Sequence, residues 1–244
     1  MNTDMNTRAG YGWEQIPRHL NRAAVDEGLR QHMLRVYNYM ALGLAMTGLV
    51  AVIVGTTPAL YTPLFSTPLK WVVILAPLPF AFFFAFRVPS MSASAAQALF
   101  WAFCAIIGLS LGSIFLIFTG TTIARAFFAA AAMFGVTSLY GYTTQRDLSA
   151  IGSFLIMGLI GVVIASIVNI FLGSSALQFV VSIVGIIVFV GLTAWDTQSI
   201  KEQYADNFDL ESKQKLAVIG AFSLYLNLIN IFQLLLNLTG ERDE

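Results

Sequence analysis

The chain has 244 residues, of which 57% are apolar and only 11% are charged, and its mean hydropathy is +0.76. Soluble domains carry about 25% charged residues, so a chain this poor in charge could not cover its own surface in water, and lipid must solvate much of it. The net charge of zero gives no indication of a nucleic-acid partner. The single cysteine, Cys104, excludes an internal disulfide and is interpreted as a small buried apolar residue.

The first 35 residues are polar and rich in arginine, and we interpret them as a tail outside the membrane. Residues 36–238 contain seven apolar stretches, each close to the roughly 20 residues that a membrane-spanning helix needs. None alternates as a barrel strand would, so the sequence predicts an all-α integral membrane protein with seven transmembrane helices in one bundle. Residues 239–244 form a short C-terminal tail. The predicted spans are Val36–Thr56, Leu69–Phe86, Ala95–Phe118, Thr122–Tyr142, Ala150–Leu172, Ala176–Ile200 and Leu216–Leu238.

The links between spans are mostly short turns, such as residues 120–122 and 173–175, which force neighbouring helices to run antiparallel. Span two contains Pro77 and Pro79, which favour a kink because proline lacks a backbone donor. Lysines and arginines are enriched on the cytoplasmic side of membrane proteins. Ten of them fall on the side of the amino terminus and three on the other, which predicts a cytoplasmic amino end and places the carboxyl end outside.

One acidic residue, Asp196, falls inside a predicted span, near the cytoplasmic end of span six. Acidic residues within spans are costly and usually face a cavity or a partner, although a carboxylate solvated at the headgroup boundary is the alternative. Arg87 ends span two on the same side, so an Arg87–Asp196 ion pair is geometrically allowed. The alternative for Arg87 is an anchor whose guanidinium reaches the headgroups.

Span seven carries a stripe of uncharged polar side chains within an arc of about 120° at helical spacing. Such a face is unfavourable against lipid, so we expect span seven in the middle of the bundle. There the stripe would either line a polar path or form hydrogen bonds between helices. Its members are Ser223, Asn227, Asn230, Gln233 and Asn237.

The sequence offers no catalytic constellation. The only two histidines, His19 and His32, both fall in the predicted amino-terminal tail. A lone aspartate within the membrane cannot form the paired site of an aspartic protease, and no phosphate-binding loop is present. We therefore expect a protein that is not an enzyme, with no cofactor and no bound metal.

Three motifs resemble those of the bacterial branch of the Bax inhibitor-1 (TMBIM) family. They are GYTTQRDLS at residues 141–149, AWDTQ at residues 194–198 and SLYLNLINIF at residues 223–232. The resemblance covers roughly residues 30–240 and implies a bacterial inner-membrane protein in which six helices surround a central seventh. It also implies a passive leak for calcium ions that responds to pH.

In that family an aspartate on span six and another on span seven share a proton on the cytoplasmic side, and an arginine ending span two pairs with the first when the pore opens. Asp196 matches the first aspartate, and Arg87 is the counterpart of the arginine. Asn227 stands where the second aspartate is expected, and an amide does not titrate. The resemblance thus implies a calcium leak with altered pH sensing.

The resemblance leaves a second function open. Some relatives act as regulators that bind other membrane proteins, including a quality-control protease, or that restrain cell death. In that case the protein would conduct nothing, and the amino-terminal tail and the charged link at residues 201–215 would be its docking surfaces. The expected partners are therefore the lipid bilayer, calcium ions in transit, or another membrane protein, with no nucleic acid.

Overall fold

The computed structural model describes residues 18–205 and 207–240, with side chains from Glu27 onward. Residues 1–17 of the predicted amino-terminal tail and residues 241–244 of the carboxyl-terminal tail therefore lie outside the described residues. The described part is almost entirely helical. Its helices are α1 (Arg18–Thr56), α2 (Pro58–Phe65), α3 (Leu69–Leu75), α4 (Pro77–Arg87), α5 (Ala93–Leu111), α6 (Gly120–Thr143), α7 (Ser149–Leu172), α8 (Ser175–Gln203) and α9 (Leu210–Thr239), with 3₁₀ turns at Val88–Ser90 and Gly112–Leu116.

Seven helical segments in the described residues are long and apolar enough to cross a bilayer, which confirms the predicted fold class. The first is α1, the second combines α3 and α4, the third is α5 with its 3₁₀ turn, and the fourth to seventh are α6 to α9. Two helices begin well before their predicted starts, whereas the others begin within two residues of them: α1 begins at Arg18, inside the predicted tail, and α9 at Leu210. Hydropathy marks only the part of a helix embedded in lipid, so it misses helical turns that continue into water.

The connections differ from the prediction in two places. Residues 120–122, predicted as a link, form the first turn of α6, because the Thr119 hydroxyl accepts the backbone N–H of Thr122 and caps the helix. The link between spans one and two contains the extra helix α2, with Pro58 in its first turn.

Two expectations about the ends of helices are confirmed. Span two divides at Ala76, directly before Pro77, and Gly173 ends α7 with a φ of 60°.

Helix α9 forms the centre of the bundle, as the polar stripe predicts. In its most apolar stretch 61% of residues are buried, against 6% to 44% in the other spans. It packs against α1, α5, α6 and α8, and the Phe222 ring stacks on Phe84 of α4 with centroids 3.9 Å apart. Helix α7 packs mainly on α8 and is exposed over most of its surface.

A buried junction of hydroxyl groups joins three spans near the middle of the bundle. The Thr47 hydroxyl on α1 lies 2.7 Å from the Tyr225 hydroxyl on α9 and donates to the backbone carbonyl of Cys104 on α5 at 2.9 Å. Tyr225 is fully buried. Because a buried hydroxyl without a partner is costly, this junction fixes the depth of α9 relative to α1 and α5.

Candidate functional site

Asp196 lies on α8, seven residues before the helix ends at Gln203, and its side chain is half-buried. Its carboxylate oxygen Oδ2 accepts a hydrogen bond from Nδ2 of Asn227 at 2.6 Å. Asn227 lies on α9 and is only 5% exposed. The structure thus brings two of the three residues predicted to form the gate, one from span six and one from span seven, into direct contact.

A small cavity of about 50 Å³ lies beside the carboxylate. Polar side chains from three helices line it: His32 from α1, Ser199 and Gln203 from α8, and Ser223 from α9. Asp196 therefore faces a polar space inside the bundle and not the lipid. We refer to this space as the Asp196 cavity.

The prediction that both histidines lie in a polar tail is wrong for His32. Helix α1 extends through this position, and the His32 side chain is only 4% exposed. Its ring packs beside the Tyr204 ring, with the two ring centroids 5.3 Å apart. An apolar repeat at helical spacing begins at Leu29, seven residues before the predicted start of span one, and continues through Met33 to Val36. That repeat is the signal that places His32 on a packed helix.

Arg87 ends α4 but is exposed, and it forms no ion pair with Asp196 in the described part of the chain. Its backbone carbonyl accepts the Ser90 hydroxyl at 2.9 Å. The turn that follows Arg87 is nevertheless tied to the start of α9, because the Lys215 ammonium donates to the carbonyls of Pro89 and Met91. Arg87 therefore lies at the same end of the bundle as the Asp196 cavity.

The polar stripe of α9 divides into two parts. Ser223 and Asn227 meet the Asp196 cavity and the carboxylate. Asn230 donates to the Leu226 carbonyl of its own helix at 2.8 Å, Gln233 is half-buried and Asn237 is exposed. Only the first part of the stripe belongs to the site.

The turn between α6 and α7 clamps α8 close to Asp196. The Gln198 side chain accepts the backbone N–H of Leu148 through Oε1 and donates to the Arg146 carbonyl through Nε2, both at 2.8 Å. The Lys201 ammonium donates to the Tyr142 carbonyl at 2.9 Å, which neutralises a free acceptor at the end of α6. These bonds fix the rotation of α8 and so the direction of the carboxylate.

Glycine permits the close approach of α6 to α8. A Cβ added at Gly141 would lie 2.2 Å from the carbonyl oxygen of Ala194. On the other side, a Cβ at Gly152 of α7 would lie 2.4 Å from the Trp195 ring. Residues with side chains at either position would push α8 away from its neighbours.

Comparison with known proteins identifies the family. The model of the family described as "Inhibitor of apoptosis-promoting Bax1" matches residues 29–244. The chain belongs to this family, the Bax inhibitor-1 family. It is 48% identical over 217 residues to a protein of Rickettsia prowazekii, covering 89% of this chain and 92% of the relative. It is 40% identical over 232 residues to the inner membrane protein YbhL of Escherichia coli, covering 94% and 99%.

The three motifs that carry the Bax inhibitor-1 resemblance meet in space. The first motif, residues 141–149, docks on the second, residues 194–198, through Gly141 and Gln198. The second meets the third, residues 223–232, at the contact between Asp196 and Asn227. The motifs therefore describe one assembly, in which a tight helix contact and a clamped turn present the carboxylate to the central helix.

Proposed function

We propose that this member of the Bax inhibitor-1 family is a passive leak for calcium or other cations, gated by protonation of Asp196. The observation that carries the proposal is the 2.6 Å hydrogen bond from Asn227 to the Asp196 carboxylate across spans six and seven. A carboxylate inside a span is costly and is retained where it serves a path or a switch. The polar cavity beside it supports access for water and protons.

The presence of an amide in place of the second acid changes what protonation does. An ionised Asp196 accepts a charge-assisted bond from Asn227, and such bonds are roughly twice as strong as neutral ones. A protonated Asp196 still forms a hydrogen bond, because it donates to the amide oxygen once the amide turns over. The contact between the two helices is thus kept in both protonation states of Asp196, so we expect a shallower pH response than a pair of carboxylates gives.

Arg87 completes the proposed gate. In the described arrangement Asn227 occupies the carboxylate and Arg87 is exposed at the same end of the bundle, which we interpret as the closed state. Opening exchanges the amide for the guanidinium, which compensates the charge of the ionised carboxylate. Arg87→Gln keeps a polar side chain but removes the charge, and should hold the leak low at every pH.

The test is calcium flux into proteoliposomes across a pH series from 5 to 8. The variants are the wild-type chain, Asp196→Asn, Asn227→Asp, and Asn230→Asp as the matched control. Asn230 lies on the same stripe one turn away, and its side chain bonds its own helix. We expect a leak above empty liposomes for the wild type, no pH response for Asp196→Asn, and a steeper response for Asn227→Asp only.

Absence of flux at every pH, from protein that is folded and inserted, would overturn the leak. It would favour the second function, a regulator that binds another membrane protein such as a protease and conducts nothing. Crosslinking in native membranes would then recover a stoichiometric partner.

We also propose that the protein resides in a bacterial inner membrane with its amino end in the cytoplasm. The relative YbhL is named as an inner membrane protein, and ten of the thirteen lysines and arginines fall on the side of the amino terminus. Reporter fusions at Gln145 and Gly173, which lie in turns at opposite ends of the bundle, test the orientation. The reverse pattern of accessibility would refute it.

A further inference from the structure

The buried imidazole of His32 is the second titratable side chain that lines the Asp196 cavity. It is 96% buried, since only 4% of its surface is exposed. Its ring nitrogen Nδ1 has no hydrogen-bond partner among the described residues. Leaving a buried polar atom unpaired is unfavourable, so an unpaired ring nitrogen beside a polar cavity needs an explanation.

Water in the cavity supplies one. A water molecule needs about 10–15 Å³ of such space and two to four polar partners, and the cavity of about 50 Å³ has room for about three. The Asp196 carboxylate and the hydroxyls of Ser199 and Ser223 provide further partners around the same space. A short chain of waters can therefore connect the imidazole to the carboxylate.

Charged groups surround His32 unevenly. Arg35 on α1 and Lys213 on α9 are the cations that act on it, and the Tyr204 ring covers one side. Asp196 on α8 is the carboxylate on the cavity. The cations keep their charge throughout the physiological range, so Asp196 is the group lining this cavity whose own protonation could change the charge near the imidazole.

We propose that His32 and Asp196 form a coupled pair of proton-binding residues joined by the water in this cavity. His32 on span one thereby supplies the second titratable group that Asn227 on span seven cannot. The consequence of this coupling for gating rests on the leak proposed above, whereas the coupling between His32 and Asp196 is independent of the leak. In this pair a carboxylate and an imidazole titrate together, and the ion pair they form is favoured at intermediate pH.

The composition of the chain allows a direct test. There are only two histidines, so His19→Gln leaves His32 as the single imidazole, and its protonation is followed by ¹⁵N NMR of histidine-labelled protein in nanodiscs between pH 5 and 8. The measurement is repeated with Asp196→Asn, and with Asn230→Asp as a control that changes a charge on α9 away from the cavity. We expect Asp196→Asn to reduce the ratio of imidazolium to imidazole at a fixed pH by about threefold or more, because a nearby negative charge is lost.

A His32 signal that does not titrate between pH 5 and 8, or that titrates identically with and without the Asp196 carboxylate, overturns the proposal. A similar change in Asn230→Asp also overturns it, because the effect would then not be specific to the cavity. The flux assay with His32→Gln is a separate arm: loss of leak in all variants defeats the leak proposal, whereas the NMR result decides the coupling alone.

Discussion

The close contact between Gly141 and Ala194 predicts a large effect from a single added methyl group. In Gly141→Ala the Cβ would lie 2.2 Å from the Ala194 carbonyl oxygen and 2.9 Å from its carbon, whereas ordinary contact begins at 3.4 Å. Because both atoms belong to rigid helix backbone, α6 and α8 must separate by about 1 Å. Overpacking of this kind costs about 1–3 kcal/mol.

The separation also strains the bonds that hold α8 at this point. The Gln198 side chain binds the backbone of the turn after α6 at 2.8 Å on both its atoms, and the Ser138 hydroxyl lies 3.0 Å from the Thr197 hydroxyl. A shift of about 1 Å takes bonds of this length beyond the usual limit for hydrogen bonding. Their loss adds to the methyl clash, so we place the effect at the upper end of the range.

Thermal unfolding of purified protein in detergent measures the effect. A change of 1 kcal/mol shifts the Tm of a chain this size by about 2–4 °C, so Gly141→Ala should lower it by about 5–10 °C. Gly135→Ala is the matched control, because it lies on the same helix and its added Cβ meets no atom within 4 Å. It should leave the Tm unchanged or raise it slightly. Equal Tm values for Gly141→Ala and the wild type would refute the reasoning.

Three further predictions concern single polar groups. A double-mutant cycle with Asn227→Ala and Asp196→Ala should show a coupling free energy of about 1.5–3 kcal/mol, the value of a hydrogen bond to a charged group. Additive effects of the two substitutions on the Tm would contradict the hydrogen bond seen at 2.6 Å. Tyr225→Phe should lower the Tm by about 2–4 °C, because a buried hydroxyl bond is worth about 1 kcal/mol and Thr47 keeps its bond to a backbone carbonyl; an unchanged Tm would show that the junction contributes nothing. Hydrogen bonds from the Ser212 side chain and backbone N–H hold the pKa of Asp209, which caps α9 outside the membrane, below its ordinary value. The stabilisation from this cap is therefore fully present above the ordinary aspartate pKa of about 3.9, and it is lost only as pH falls through the lowered pKa of Asp209. Asp209→Ala should accordingly lower the Tm by the same amount at every pH from 5 to 8. A Tm difference from the wild type that fades within that range would contradict this prediction.

The number of spans and the central place of span seven could be predicted from the sequence, because burial in lipid imposes strong requirements on length and polarity. The facing positions of Asp196 and Asn227 are implied only by the resemblance to the Bax inhibitor-1 family, because length and polarity do not tell which spans face each other. The extent of α1 could not be predicted from hydropathy alone, since its first turns leave the apolar layer while remaining packed. Hydropathy therefore predicts that His32 lies in the tail, although the apolar repeat from Leu29 indicates a packed helix.

Contacts that depend on exact helix rotation are beyond the sequence alone. The pattern of α4 allows an ion pair between Arg87 and Asp196, but the carboxylate is bonded to Asn227 and Arg87 is exposed. Likewise, the sequence does not distinguish Gln198 from the other polar residues at the end of span six, and only the fold shows that it binds the turn at residues 146–148. Local patterns determine which residues share a face, and tertiary packing determines which partner each one meets.

The central position of α9 has a consequence for biosynthesis. The ribosome synthesises the chain from its amino end at about 5–20 residues per second. Because α9 follows the other six spans in the sequence, it leaves the ribosome after them. Until then the surfaces that will enclose α9, including the hydroxyl of Thr47 and the ring of Phe84, have no protein partner from it. The unfinished bundle must therefore tolerate a vacant centre, filled by lipid or by an insertion factor. Its final assembly is a single late event, in which one helix enters and closes contacts with at least five others.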